Sequence, residues 1–118
     1  MNYRSLIYSK ETNREAFDRI ARSCQLVKTA QVEGRPQVII RFEDATNTAS
    51  IIFNGKTLFE NTGEDLWGKT LLEARRLNYR GEFGKNPMFI NERIKVDEKT
   101  GEASKKRYDI TKEVVNMR

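Results

Sequence analysis

No apolar run in this chain exceeds three residues, and two of the triplets, Val38-Ile39-Ile40 and Ile51-Ile52-Phe53, flank a polar stretch from Glu43 to Thr48. Runs this short cannot span a bilayer, which takes about 20 apolar residues. A core must therefore come from patterned faces. Gln37 to Phe42 is rich in β-branched residues and reads as a strand. Ala49 to Phe53 reads as its return strand, with Ile51 and Phe53 on one face and Ile52 on the other. The intervening Glu43-Asp44-Ala45-Thr46-Asn47-Thr48 has the composition of a turn between antiparallel strands, and Asn54-Gly55 closes the pair.

Upstream, Tyr3, Leu6, Ile7 and Tyr8 mix with polar residues and read as an initial strand or a docked arm. Thr12-Asn13-Arg14-Glu15 has capping-box spacing, a hydroxyl followed three residues on by a carboxylate. Phe17, Ile20, Ala21 and Cys24 then fall on one face of a 3.6-residue helix. Cys24 thus reads as a small apolar residue of that face and not as a reactive thiol. From Gln25 to Val32 the period shortens to that of a strand, and Glu33-Gly34-Arg35-Pro36 is a turn.

Downstream, Lys56 to Asn61 reads as one helical turn. Thr62 to Asp65 repeats the hydroxyl-to-carboxylate spacing of a helix start. Leu66, Trp67, Thr70, Leu71, Ala74 and Leu77 follow at helical intervals, with Trp67 as a core anchor. Tyr79 to Phe83 and Met88 to Val96 read as strands joined by a Gly84–Pro87 hairpin loop. Asp97 to Lys106 is polar throughout and reads as an exposed loop. Tyr108 and Ile110, with Val114-Val115, complete a last strand. A chain of 118 residues is one domain's worth. Its parts are an arm and helix over 1–24, a core over 25–96, and a basic loop with the last strand over 97–118.

The absences narrow the chemistry. There is no histidine, so imidazole-based catalysis and imidazole-ligated metal sites cannot be built. One cysteine excludes an internal disulfide and a multi-thiolate zinc site. No carboxylate pairing stands out for acid–base work, so no enzyme, cofactor or metal is expected. The first residues lack a signal-peptide stretch, and a location inside the cell, in nucleus or cytoplasm, is expected. Lys and Arg outnumber Asp and Glu by 22 to 17, a net charge of +5 with a pI near 9.5. That balance suits a polyanion partner, whose condensed counterions are released on binding, and it equally suits plain solubility.

A β-rich chain with a helix inserted after a third strand has the layout of a five-stranded OB barrel. The overall expectation is a mainly β fold with short helices, a five-stranded OB-fold barrel carrying an N-terminal helix. The stretch from Val38 to Asn54 resembles the second and third strands of OB domains of replication protein A, above all the C-terminal DNA-binding domain of its large subunit. Leu58-Phe59-Glu60-Asn61 and Thr62-Gly63-Glu64-Asp65-Leu66 resemble the short helical stretches that follow in that family. The family's four-Cys zinc ribbon has no counterpart here. Neither does its trimerisation helix, and Ala49 stands where the family carries a base-stacking aromatic.

What the resemblance implies is a module that binds single-stranded nucleic acid, by basic residues along the phosphates and aromatics beneath the bases. Single-stranded DNA is the expected ligand, with RNA allowed, in replication, repair, recombination or telomere work alongside protein partners. The candidate loops carry Arg35 and Lys85, and the densest cationic cluster is Lys105-Lys106-Arg107 with Tyr108 beside it. Arg41 and Arg80 sit opposite apolar strand neighbours and are expected to face solvent, with Lys56 just past the Asn54-Gly55 turn. Phe53 and Tyr79 complete the aromatic candidates, Phe53 reading more readily as a core residue than as a platform. The alternative is an OB-type adaptor that binds protein and has lost its stacking surface.

Overall fold

Local chemistry sets the first helix. Thr12 Oγ1 accepts the Glu15 amide at 3.1 Å while Glu15 Oε1 accepts the Thr12 amide at 2.8 Å, closing the expected capping box on α1, Asn13–Ser23. Phe17 and Ile20 are fully buried on its inner face. A computed structural model of the chain describes residues 11–27 and 34–116. The arm holding Tyr3, Leu6, Ile7 and Tyr8, and residues 28–33 of the first expected strand and turn, lie outside the described residues.

After α1 come β1 (Gln25–Leu26), β2 (Gln37–Glu43), β3 (Thr48–Phe53), β4 (Lys56–Thr62), α2 (Leu66–Tyr79), β5 (Met88–Val96), β6 (Ala103–Asp109) and α3 (Thr111–Val115). The strands form one sheet in the order β1-β6-β5-β2-β3-β4. β2 pairs in parallel with β5, and every other neighbour is antiparallel. β4 and β5 therefore run the same way, and α2 is the crossover that parallel strands require. The architecture is mainly β with short helices, and the N-terminal helix is present.

Closure into a five-stranded barrel is not seen. β1 and β4 are opposite edges of the sheet, and among the described residues β4 pairs only with β3. The outer edge of β6 is taken by the two-residue β1 and not by β4, so the sheet ends there and the outer edge of β4 stays unpaired among the described residues.

Side chains alternate across this sheet. Val38, Ile40 and Phe42 of β2 are fully buried, and their register partners Phe89, Asn91 and Arg93 of β5 share their face. The helices cover that face: Phe17, Leu66, Trp67, Ala74 and Val114 join one hydrophobic cluster with Ile51, Phe89 and Tyr108. Phe17 stacks on Phe42 at 4.2 Å and meets Trp67 edge-on at 5.5 Å. Among the described residues, the opposite face carries no helix.

Several local expectations change. Lys56–Thr62 is a strand and not a helical turn, because Asn54 (φ 51°) and Gly55 (φ 76°) form the positive-φ pair of a two-residue hairpin. Tyr79–Phe83 is not a strand. α2 runs to Tyr79, and Gly81 at φ 79° ends it while the Glu82 amide bonds Leu77 O at 3.0 Å and its own amide bonds Asn78 O at 3.0 Å. The expected Asp97–Lys106 loop is a short hairpin turn, and Lys105, Lys106 and Arg107 lie within β6. Val114 and Val115 belong to α3.

The second helix also starts later than its sequence suggests. Thr62 ends β4, and Asp65, left-handed at φ 56°, precedes Leu66 without capping it. The cap comes from α1. Asn13 Oδ1 accepts the Leu66 amide at 2.8 Å, while its Nδ2 donates to Gly63 O at 2.6 Å and Asn47 Oδ1 at 2.7 Å. One side chain thus ties α1, the start of α2 and the β2–β3 turn. Asn13→Ala is expected to cost about 1–2 kcal/mol in urea unfolding, the upper part of the range for a lost helix cap. Asn13→Asp keeps the acceptor and should recover part of that loss.

Candidate nucleic-acid interface

On the face without helices, three strands bring together residues far apart in sequence. Arg41 of β2 is directly opposite Glu92 of β5, which is directly opposite Arg107 of β6. Lys105, two residues along β6, shares that face. Arg41 Nε donates to Glu92 Oε1 at 2.6 Å. Arg107 grips Oε2 through Nε at 3.0 Å and Nη2 at 2.9 Å, with Lys105 Nζ at 3.9 Å. The Glu92 side chain is 1% exposed, whereas Arg41, Arg107 and Lys105 keep 34%, 33% and 52% of theirs in solvent.

Burial pushes the Glu92 carboxyl up, but the hydrogen bonds from Arg41 and Arg107 outweigh it and hold it below the ordinary carboxylate range. Asp18 is lowered by its hydrogen bond from Arg93. Depressed carboxylates add stability that is fully present above their unfolded values near ~4 and is lost as pH falls through their folded values. With no histidine to titrate between, unfolding free energy is expected to be flat from about pH 5 to 8 and to drop below about pH 4. Urea unfolding across that range measures it, and Glu92→Gln should shrink the acid-side slope.

The expected site residues do not gather into one surface. Arg41, Lys105 and Arg107 come together as described. Lys106 alternates onto the helix side, opposite Arg93. Tyr108 is 8% exposed within the core, opposite Asn91. Phe53 packs half-buried on the helix side, edge-on to Phe83 at 5.2 Å. Arg35 is occupied by the carbonyls of Asn86 (3.1 Å) and Pro87 (3.2 Å), which it ties to the start of β2. Lys56 opens the edge strand β4, and Lys85 is exposed in the turn before β5. Tyr79, 88% exposed, and Arg80 end α2 on the helix layer. Ala49 is buried in the core, so its strand position offers no platform whatever its side chain.

Among the described residues, the face without helices holds no aromatic. Beside its cations lie Ile39, Ile52 and Ile94, half-buried, and Val96, exposed. Glu92, its centre, is absent from the candidates read from sequence, although a carboxylate at the strand period of the apolar Met88, Ile90 and Ile94 is the signal that locates it. A separate cavity of about 850 Å³ opens between the starts of α1 and α2, lined by Asn13, Arg14, Asp44, Asn47, Glu64 and Trp67 among others. None of the three face cations lines it. Burial raises the Cys24 thiol, consistent with its place at the end of α1 as a packing residue. Among the described residues no cluster of His, Cys, Asp or Glu is placed to hold a metal ion, and no helix is long and apolar enough to cross a membrane.

No family model, no curated protein and no solved structure matches this chain.

Proposed function

We propose that this protein is a nucleic-acid-binding module that holds a strand by its phosphates on the Arg41–Lys105–Arg107 face. The observation that carries the reading is the arrangement itself: three partly exposed cations from neighbouring strands, gathered around a single buried carboxylate. Neutralising phosphates releases counterions, and such contacts give affinity without reading sequence. Base stacking is not part of the mechanism on this face, since Tyr108 and Phe53 are spent in the core. A remote kinship with the OB domains of replication protein A belongs to the same proposal. It is supported by chain order, a three-strand meander, a helix and a hairpin, and an OB-type closure is not required by it.

Single-stranded nucleic acid in a replication or repair setting inside the cell remains the proposed ligand, with no catalysis. Fluorescence anisotropy with single-stranded and duplex oligonucleotides, DNA and RNA, tests the reading. Binding that weakens as salt rises supports it, and no binding to any of the four at low salt overturns it. A second reading, an adaptor that binds protein, is favoured by one feature, the aliphatic residues Ile39, Ile52, Ile94 and Val96 set beside the cations.

A further inference from the structure

Glu92 presents an unusual economy of contacts. An isolated carboxylate buried to 1% exposure is costly unless paired and hydrogen-bonded, and here both oxygens are satisfied by guanidinium groups. Arg41 commits only its Nε to this bond, so among the described residues both its Nη groups have no partner. Arg107 commits Nε and Nη2 and keeps Nη1. Lys105 approaches Oε2 no nearer than 3.9 Å, and its ammonium stays half in solvent.

The carboxylate therefore fixes two long side chains while leaving their outer N–H groups open. A free arginine carries rotamer entropy that binding an anion would otherwise have to overcome. Glu43, Glu60 and Asp109 flank this face in register, so the excess of positive charge is confined to the immediate surroundings of Glu92, where three cations meet one carboxylate. A planar guanidinium suits the paired oxygens of a phosphate better than a point charge does.

We infer that Arg41, Arg107 and Lys105 form a preorganised site for one phosphate group, and that Glu92 is the positioning residue that holds the two guanidinium groups in place. The inference rests on the nucleic-acid reading only for where the phosphate comes from, a polynucleotide backbone as opposed to a free phosphate. The site itself is independent of that source. Its signature is an inverted charge effect. Removing the negative charge of Glu92 raises the positive charge of the face, which by field alone strengthens anion binding, whereas loss of positioning weakens it.

Titration of the ¹⁵N-labelled protein with inorganic pyrophosphate, followed at the arginine Nε–Hε resonances, reads the site directly. Saturable shifts are expected at Arg41 and Arg107, with Arg80 unmoved. Glu92→Gln is expected to weaken binding about tenfold despite its added charge, on the scale of one lost charged hydrogen bond. Arg41→Lys with Arg107→Lys keeps the charge, loses the forks, and should weaken it by a similar factor; this pair decides the matter if Glu92→Gln does not fold. Unchanged or tighter binding by Glu92→Gln, or by the double lysine variant, would overturn the inference, as would the absence of shifts at Arg41 and Arg107. Parallel titrations with a single-stranded oligonucleotide separate the two ideas. Pyrophosphate binding without oligonucleotide binding leaves the site standing and removes the nucleic-acid reading. Oligonucleotide binding that leaves Arg41 and Arg107 unshifted removes the site and moves nucleic-acid binding off this face.

Discussion

Arg93→Ala is expected to destabilise the protein by about 3–5 kcal/mol, the range for removing one partner of a buried ion pair. Arg93 is only 5% exposed on the helix side of β5. Its Nε and Nη2 hold the two Asp44 oxygens at 2.7 Å each, and its Nη1 donates to Asp18 at 2.7 Å. Asp44 lies in the β2–β3 turn and Asp18 on α1, so one guanidinium ties the helix to both central strands while lying over the Phe42 ring at 5.5 Å. Truncation leaves Asp44, whose side chain is only 10% exposed, with only the longer 3.6 Å contact from the solvent-exposed Arg14. For a domain with a total stability of about 5–15 kcal/mol that loss is a large fraction. Urea unfolding measures it. Adding Asp44→Ala should recover part of the loss, because the stranded carboxylate goes with it; a double variant as unstable as the sum of the singles would show that no pair energy was involved.

The second large effect concerns binding. Arg41→Gln with Lys105→Gln removes two of the three cations yet leaves Arg107 to satisfy Glu92, so the fold should survive. Each charged contact is worth about 1.5–3 kcal/mol, and affinity for a single-stranded oligonucleotide should fall by at least about 100-fold at low salt. Lys106→Gln removes the same charge per site from the same strand but from the helix side. It should change affinity by no more than about threefold, since solvent screens charges that do not touch the ligand. Equal losses in the two variants would mean that net charge matters and that the face does not.

The contrast between Lys105, Lys106 and Arg107 shows what was legible in the sequence and what was not. As a run of three cations they read as one cluster on a loop. Placed in a strand, the two-residue period sends Lys106 to one face and its neighbours to the other. The cue that β6 begins at Ala103 is weak, because Ala103 to Lys106 is exposed and offers no buried alternation. The capping box of α1, the β2–β3 hairpin and Trp67 as a core anchor were all readable, since each rests on a short local pattern. Asn54-Gly55 was an equally local hairpin signal whose consequence, a strand from Lys56, was masked by the exposed edge position of β4.

The missed features are those that join distant segments. Tyr108 beside a basic run looked like a surface platform, but pairing with β1 and β5 turns it into the core. Asn13 as the cap of another helix, 53 residues away, and Glu92 between two arginines have no local signature. The parallel pairing of β2 with β5 likewise depends on long-range choice and has no local signature.

The most direct test of the central claim is the affinity of a labelled single-stranded oligonucleotide as a function of salt, for the unmodified protein and for Arg41→Gln/Lys105→Gln. Single strands lose about 0.7 in log–log slope per phosphate neutralised, so the one phosphate held between Arg41, Arg107 and Lys105 predicts a slope near about −0.7, which the variant should flatten toward zero. An unmodified protein that shows no binding at low salt, or a variant with an undiminished slope, would contradict the assignment of this face to phosphate recognition.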